Sequence, residues 1–277
     1  MIFEPLKSPL GSYVGGKFKL SRKIVPLIPK HRYFCEPFCG SAAVFFGFRN
    51  LPRATYHLND LDKSIFTFWN EFSNNHDEFV ERMANFRIFK DVERNKNHFK
   101  HLQSQEKTGL LQGAGLACYV FYSIAFSFGG TRVTPIGFNE DNFRESFLKK
   151  YFSKIKMLMV NKHLYKEKLQ DVIVTNKCGI DVIQECDRED AFFYIDPPYP
   201  ETRQHYKNKF SIKDFNRLTA VLRDIKGKFV LSCYQNQNLN LCDFNRKTFL
   251  IKRGLLNTDY FHVRKKQFVG ESIWMNF

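Results

Sequence analysis

The chain has 277 residues, with 43 Lys and Arg against 28 Asp and Glu and so a formal charge of +15. An apolar fraction of 43% with 31 Phe excludes a disordered chain, and no apolar run approaches the length needed to span a bilayer. A charge this large costs self-repulsion that a polyanion relieves, which points to nucleic acid rather than a membrane surface, since no strongly basic amphipathic anchor is present. Seven cysteines, an odd number with no CxxC pair, lie mostly in apolar stretches. They read as reduced packing residues, and no Cys/His cluster suggests a metal. The start Met1-Ile2-Phe3-Glu4-Pro5 lacks a basic region followed by an apolar core, so no secretory signal is expected and the chain is assigned to a cytoplasm.

Gly15-Gly16-Lys17 precedes a helical pattern of Leu20, Ile24, Leu27 and Ile28 that ends at Pro29. Paired glycines let the backbone approach a ligand closely, with Lys17 near a carboxylate there; a plain loop and cap is the alternative. Tyr33-Phe34-Cys35 predicts a strand, Glu36-Pro37-Phe38-Cys39-Gly40-Ser41 a glycine turn, and Ala42 to Phe46 a helix. Gly40 allows a tight turn with exposed amides, and Glu36 at the strand end is placed to hold a charged amine. A second strand, Ala54 to Leu58, ends in Asn59-Asp60. An acid about twenty residues after a glycine turn suits ribose hydroxyls; Asp60 is equally an N-cap for a helix over Ile65 to Phe72, and one residue can do both.

Residues 73–170 are rich in helical patterns and in Lys, Arg, Asn, His and Phe, as in Phe86 to Lys90 and Arg94 to His101. Basic groups among amide and planar side chains suit phosphate and base-edge contact, and a solvated helix face looks much the same. After a helix over Gly115 to Phe126, the stretch Ser127 to Phe138 alternates turn residues with strand formers, which reads as a hairpin or an ordered loop. Val172-Ile173-Val174 then predicts a strand, and Asn176 to Asp181 leads into a short helix that Asp181 is placed to cap.

Ala191 to Ile195 is a short apolar run of strand formers, the pattern of a strand buried on both faces, and it stops at Asp196-Pro197-Pro198-Tyr199. Proline holds the residue before it in extended geometry, so Asp196 is fixed at the strand's carboxyl end, where open α/β sheets bind ligands. The polar run from Pro200 to Lys209 reads as a loop that orders on binding. Ser211-Ile212-Lys213-Asp214 opens a helix with a capping box, Lys228 to Ser232 is a further buried strand, and Tyr234 to Asn238 a loop. Tyr260 to Val263 and Ser272 to Phe277 are expected to close the fold as an antiparallel hairpin with a basic turn at Arg264-Lys265-Lys266.

Gly15-Gly16-Lys17, Glu36 to Ser41, Asn59-Asp60 and Asp196 to Tyr199, in that order, resemble the motifs of the Dam-type (D12 class) DNA adenine N6-methyltransferases. The resemblance covers most of the chain. It implies an α/β fold: a Rossmann-like S-adenosylmethionine-dependent methyltransferase sheet from residues 1–72 and 171–277, with an inserted helical target-recognition domain over residues 73–170. It implies that Tyr13, Gly15, Gly16, Lys17, Glu36, Pro37, Phe38, Gly40, Ser41, Asp60, Ile180, Asp181 and Asp196 enclose S-adenosyl-L-methionine. Asp196, Pro197, Pro198 and Tyr199 are then the catalytic tetrapeptide. Adenine N6 is a poor nucleophile; the Asp196 carboxylate and Pro197 carbonyl accept its two hydrogens, and Tyr199 offers a stacking ring for a base flipped from duplex DNA. A recognition hairpin with Arg132 as base reader is implied, with Lys207, Lys209, Arg264 and Lys265 toward phosphate. The hairpin looks short for the family, so a GATC target does not carry over, and Ser232-Cys233 stands where the family often has Ser-Asn. A partner restriction endonuclease fits such an enzyme. Methylation of cytosine N4 or of an RNA base fits the same tetrapeptide, and a catalytically silent nucleic-acid-binding protein on this scaffold is the reading from another class.

Overall fold

The computed structural model describes residues 6–11, 13, 16–89, 91–127, 130–132, 148–199, 210–233, 241–253 and 267–277. Helix α1 (Phe18–Ile24) passes into a 3-10 turn at Val25–Leu27, where Pro26 has no amide to continue an α-helical ladder. Strand β1 (Tyr33–Glu36) and strand β2 (Thr55–Asn59) flank the glycine turn. The helix expected over Ala42 to Phe46 is not formed. Gly40 and Ala42 both adopt positive φ (44° and 49°), which cannot open an α-helix, and only a 3-10 turn at Phe45–Gly47 follows.

The helical stretch comprises α2 (Lys63–Asn74), α3 (His76–Ala84), α4 (Val92–Lys107), α5 (Gly113–Phe126), α6 (Leu148–Val160) and α7 (Lys162–Leu169). Strand β3 (Ile173–Thr175), α8 (Gly179–Cys186) and β4 (Ala191–Ile195) return the chain to the sheet. After these come α9 (Ile212–Asp224), β5 (Lys228–Cys233), β6 (Asn245–Arg253) and β7 (Gln267–Met275). The capping box is present: Ser211 Oγ accepts from the Asp214 amide and the Asp214 carboxylate from the Ser211 amide. The closing hairpin pairs β7 with β6, a strand with basic pairs on either side of a short apolar run, upstream of the one expected; Tyr260 to Val263 lie outside the described residues.

The seven strands run in the order β3-β2-β1-β4-β5-β7-β6, the first five parallel and β7 antiparallel to both neighbours. From β1 the chain moves outward through β2 to β3, then crosses to β4 on the other side of β1 and continues to β5. The order therefore reverses between β1 and β4, and in an open parallel sheet the crevice for a ligand lies there, beyond the carboxyl ends. Both faces of these strands are buried, which explains their uninterrupted apolar runs. Phe34, Phe192, Tyr194 and Val230 face one core and Tyr33, Cys35, Phe193, Ile195 and Leu231 the other.

The second core is closed by Ile180 and Ile183 of α8 and Phe215, Leu218 and Leu222 of α9. On the first, residues of the helical stretch such as Phe79, Phe121, Tyr151 and Tyr165 belong to one cluster with Phe34 and Phe192. The inserted helices thus use one face of the sheet as part of their own core. Lys168 of α7 adds a polar tie, its ammonium donating to the Phe48 carbonyl at 2.9 Å.

Candidate active site

At the reversal point, Glu36 ends β1, Asp60 follows β2 and Asp196 follows β4, so three carboxylates converge on one crevice. Lys17, at the N-terminus of α1, meets Asp196. Its ammonium lies 2.9 Å from Asp196 Oδ1, and the Tyr199 hydroxyl donates to the same oxygen at 3.1 Å. The ammonium also stands 5.1 Å from the centre of the Tyr199 ring. The glycine-lysine segment and the double-proline corner, 179 residues apart, therefore form one cluster. Beneath it, the Tyr194 and Ser232 hydroxyls are 2.9 Å apart, which ties β4 to β5.

The glycine turn is held by side chains. The Glu36 carboxylate accepts from the Phe45 amide at 2.6 Å. Asp60 accepts from the Gly40 amide at 2.8 Å and from the Asp62 amide at 2.9 Å, while the Trp69 indole donates to the Gly40 carbonyl at 2.8 Å. The α2 N-cap is Asp62, whose carboxylate accepts from the Ser64 amide; Asp60 itself braces the loop between β2 and α2. A Cβ on Gly40 would press on the Tyr13 ring at 3.3 Å. A Cβ on Gly179 would meet the Pro37 carbonyl at 2.6 Å and the Phe38 ring at 2.7 Å, so the start of α8 closes directly over the glycine turn.

Asn59 is a residue whose importance the sequence hid. Fully buried, it donates to the Pro37 and Lys177 carbonyls at 2.8 and 3.0 Å and accepts from the Thr175 hydroxyl and the Lys177 amide at 2.7 and 3.0 Å. All four amide positions are used, and the carboxyl ends of β1, β2 and β3 are locked together. His57 extends the chain: burial lowers its pKa to about 4, so the ring is neutral. Thr175 gives its proton to Asn59, which assigns Nε2–H of His57 as donor to Thr175 and Nδ1 as acceptor from the Tyr33 hydroxyl, each at 2.6 Å.

The electrostatics are those of an acid-rich crevice. Burial raises the Glu36 carboxyl to about 8, the Phe45 amide opposing and Asp196 adding to the shift. Burial raises Asp60 to about 7 against the amide bond from Asp62. Asp196 is likewise raised by burial, with Lys17 pulling the other way. Burial disfavours the Lys17 ammonium, but Asp196, Tyr194 and Glu271 outweigh it and its pKa is raised. Lys17 answers Asp196, while Glu36 feels the charge of Asp196 and Asp60 that of Arg132; a cation bound beside these acids would favour their ionised forms.

Residues 13–265 match the family described as D12 class N6 adenine-specific DNA methyltransferase. The chain belongs to that family. It is an adenine-specific DNA methyltransferase, and the family implies a methyl donor and a DNA substrate. It is similar to a Type II methyltransferase, M1.LlaDCHI, of Lactococcus lactis subsp. cremoris, with 25% identity over 262 residues covering 88% of this chain and 86% of the relative. No helix among the described residues is long and apolar enough to cross a membrane.

Of the site residues expected from the sequence, Tyr13, Gly16, Lys17, Glu36, Pro37, Phe38, Gly40, Ser41, Asp60 and Asp196 to Tyr199 lie on the segments that meet at this crevice. Ile180 is 2% exposed and packs into the second core beside the glycine turn. Asp181 lies in the first turn of α8, paired at 2.5 Å with Arg217 of α9. Arg132, expected to reach a base, is instead 93% buried, with its guanidinium on Asp62 and Glu106. Gly15, Lys207, Lys209, Arg264 and Lys265 lie outside the described residues, as does most of the expected recognition hairpin.

Proposed function

We propose that the methyl donor is S-adenosyl-L-methionine, held over the glycine turn, and that the acceptor is an adenine flipped out of duplex DNA against Asp196 and Tyr199. The observation that carries this reading is the Lys17–Asp196–Tyr199 cluster beside two further buried carboxyl groups at the sheet's reversal point. The donor set fits the cofactor: Asp60 is an acceptor for ribose hydroxyls, and the acid-rich surroundings favour its ammonium and sulfonium charges. When bound, the cofactor supplies an electrophilic methyl group.

The protein's own part is positioning and proton handling. Asp196 accepts one N6 hydrogen and the Pro197 carbonyl the other, which turns the nitrogen lone pair out of conjugation and toward the methyl carbon. Lys17 opposes the burial of Asp196 and favours its anionic form, and the Tyr199 hydroxyl fixes the carboxylate while its ring offers a stacking face worth about 1–3 kcal/mol to the base. Extrusion costs a few kcal/mol, which these contacts offset. As N6 gains the methyl group it loses a proton to Asp196. Residues 73–170 form the target-recognition region in this reading, with exposed Arg87, Arg94, Lys100 and Lys156 available to phosphate, and Lys207, Lys209, Arg264 and Lys265 assigned to the same task. The enzyme works in a cytoplasm, where a cognate restriction endonuclease is its natural partner.

Asp196→Ala should lower transfer of labelled methyl groups to DNA by more than about 10³-fold while duplex affinity stays within a few-fold of wild type. Nucleoside digestion of the product should give N6-methyladenine. N4-methylcytosine, labelled RNA in its place, or unchanged turnover in the variant would each refute the assignment.

A further inference from the structure

Arg132 has a backbone that side-chain residues rarely adopt, φ +63°, and is almost entirely buried. Such a conformation persists only where surrounding contacts over-determine it. They do so here. Its amide donates to Ser127 Oγ at 2.8 Å, its carbonyl accepts from Gln103 at 3.0 Å, and its Nε donates to Ser123 Oγ at 3.2 Å. One arm of the guanidinium reaches Asp62 Oδ2 at 3.4 Å and the other Glu106 of α4, which also accepts from Ser64 Oγ at 2.6 Å.

Asp62 is the link to chemistry. Its amide donates to Asp60 Oδ1, and Asp60 Oδ2 accepts from the Gly40 amide. A continuous run of contacts therefore joins α4 and α5 of the inserted region, through Arg132, to the acid and glycine turn assigned above to the cofactor. Arg132 also acts through space to favour the ionised form of Asp60.

We infer that Arg132 is a positioning residue for the methyl donor, a fork that clamps the loop between β2 and α2 to the recognition helices and so holds Asp60 in place to grip the ribose. A base reader would leave cofactor binding untouched in the absence of DNA. A clamp would not. Lysine cannot replace it fully, because an ammonium has no planar fork to span two carboxylates.

The inference rests on the cofactor reading, and the test separates the two. Full-length protein, free of DNA, is titrated calorimetrically with S-adenosylhomocysteine. Arg132→Gln should bind about tenfold more weakly and Glu106→Gln a few-fold, within the usual range of site-to-site coupling. Arg132→Lys should fall between wild type and Arg132→Gln, and the double variant should be no weaker than Arg132→Gln alone. A cluster that only stabilises the fold would reduce the fraction of competent protein at unchanged Kd. Wild-type Kd in both single variants would overturn the clamp. If Arg132→Gln does not fold, Glu106→Gln, which keeps an acceptor for Ser64, decides on the same criterion. Asp60→Asn tests the cofactor reading by itself: unchanged affinity there removes that reading, whereas weakened affinity in Asp60→Asn with wild-type affinity at Arg132 and Glu106 removes the clamp alone.

Discussion

Two buried ionic clusters sit on either side of the loop between β2 and α2, and they are built on opposite principles. Around Arg132, one guanidinium is shared by two carboxylates and donates to Ser123, while Gln103 donates to the backbone carbonyl. Around Lys17, one ammonium is paired with Asp196 in a crevice that Glu36 and Asp60 also line, and burial has raised the pKa of all three acids. In the first, each polar group of Arg132 is bonded to another part of the protein, as in a structural joint. The second carries an excess of acid, the condition of a site that takes a cationic ligand and whose charges are tuned for chemistry.

The contrast predicts that the two clusters fail differently. Removing the cation from the first leaves Asp62 and Glu106 buried and uncompensated, so Arg132→Gln should lower unfolding free energy by ~3–5 kcal/mol in urea titration. A loss below about 1 kcal/mol would mean that the guanidinium does not hold the joint as described. At Lys17 the larger consequence should be kinetic. Lys17→Met removes the main influence holding Asp196 down, so the carboxyl rises further and less of it is ionised at neutral pH. Methyl transfer at pH 7 should fall about 10²-fold and recover in part as pH rises, its rise displaced to higher pH than in the wild type. A variant profile parallel to wild type would separate Lys17 from the state of Asp196.

The asymmetry between the clusters also marks what the sequence could reveal. The strands with two buried faces announced themselves as apolar runs, and Asp196 was placed by the prolines that end one of them. Ser211 and Asp214, three residues apart, disclosed their capping box because the signal is local. The Arg132 joint joins residues 70 and 26 positions apart, and no local pattern announces such a pair. Arg132 looked like a base reader because a basic residue among turn formers is ambiguous until its burial is known. The expected helix after the glycine turn failed at Ala42, a good helix former forced to positive φ by the packing of the turn. Strand β6 has no strand alternation to mark it: the basic pairs Arg246-Lys247 and Lys252-Arg253 flank a short apolar run, Phe249 to Ile251. Asn59 stood beside Asp60 in plain view, but its four bonds are made to segments that only the parallel sheet brings together.

The most delicate consequence of the contrast is its dependence on pH in the cofactor-free protein. Asp60 and Glu36 have folded pKa values of about 7 and 8, above their ordinary 3.8 and 4.5. Between those limits the unfolded chain has released protons that the folded chain retains, so stability falls as pH rises. The contribution is whole below about pH 4 and gone once each folded pKa is passed. Thermal unfolding midpoints of the free protein should therefore decline from pH 5 to pH 8, and Asp60→Asn should flatten the part of that decline below pH 7. Saturating S-adenosylmethionine should flatten it too, because positive charge beside the acids lowers their folded pKa values and releases the retained protons on binding. If Asp60→Asn declines as steeply as wild type, the excess acid of the crevice is not felt as charge, and the distinction between joint and site loses its electrostatic basis.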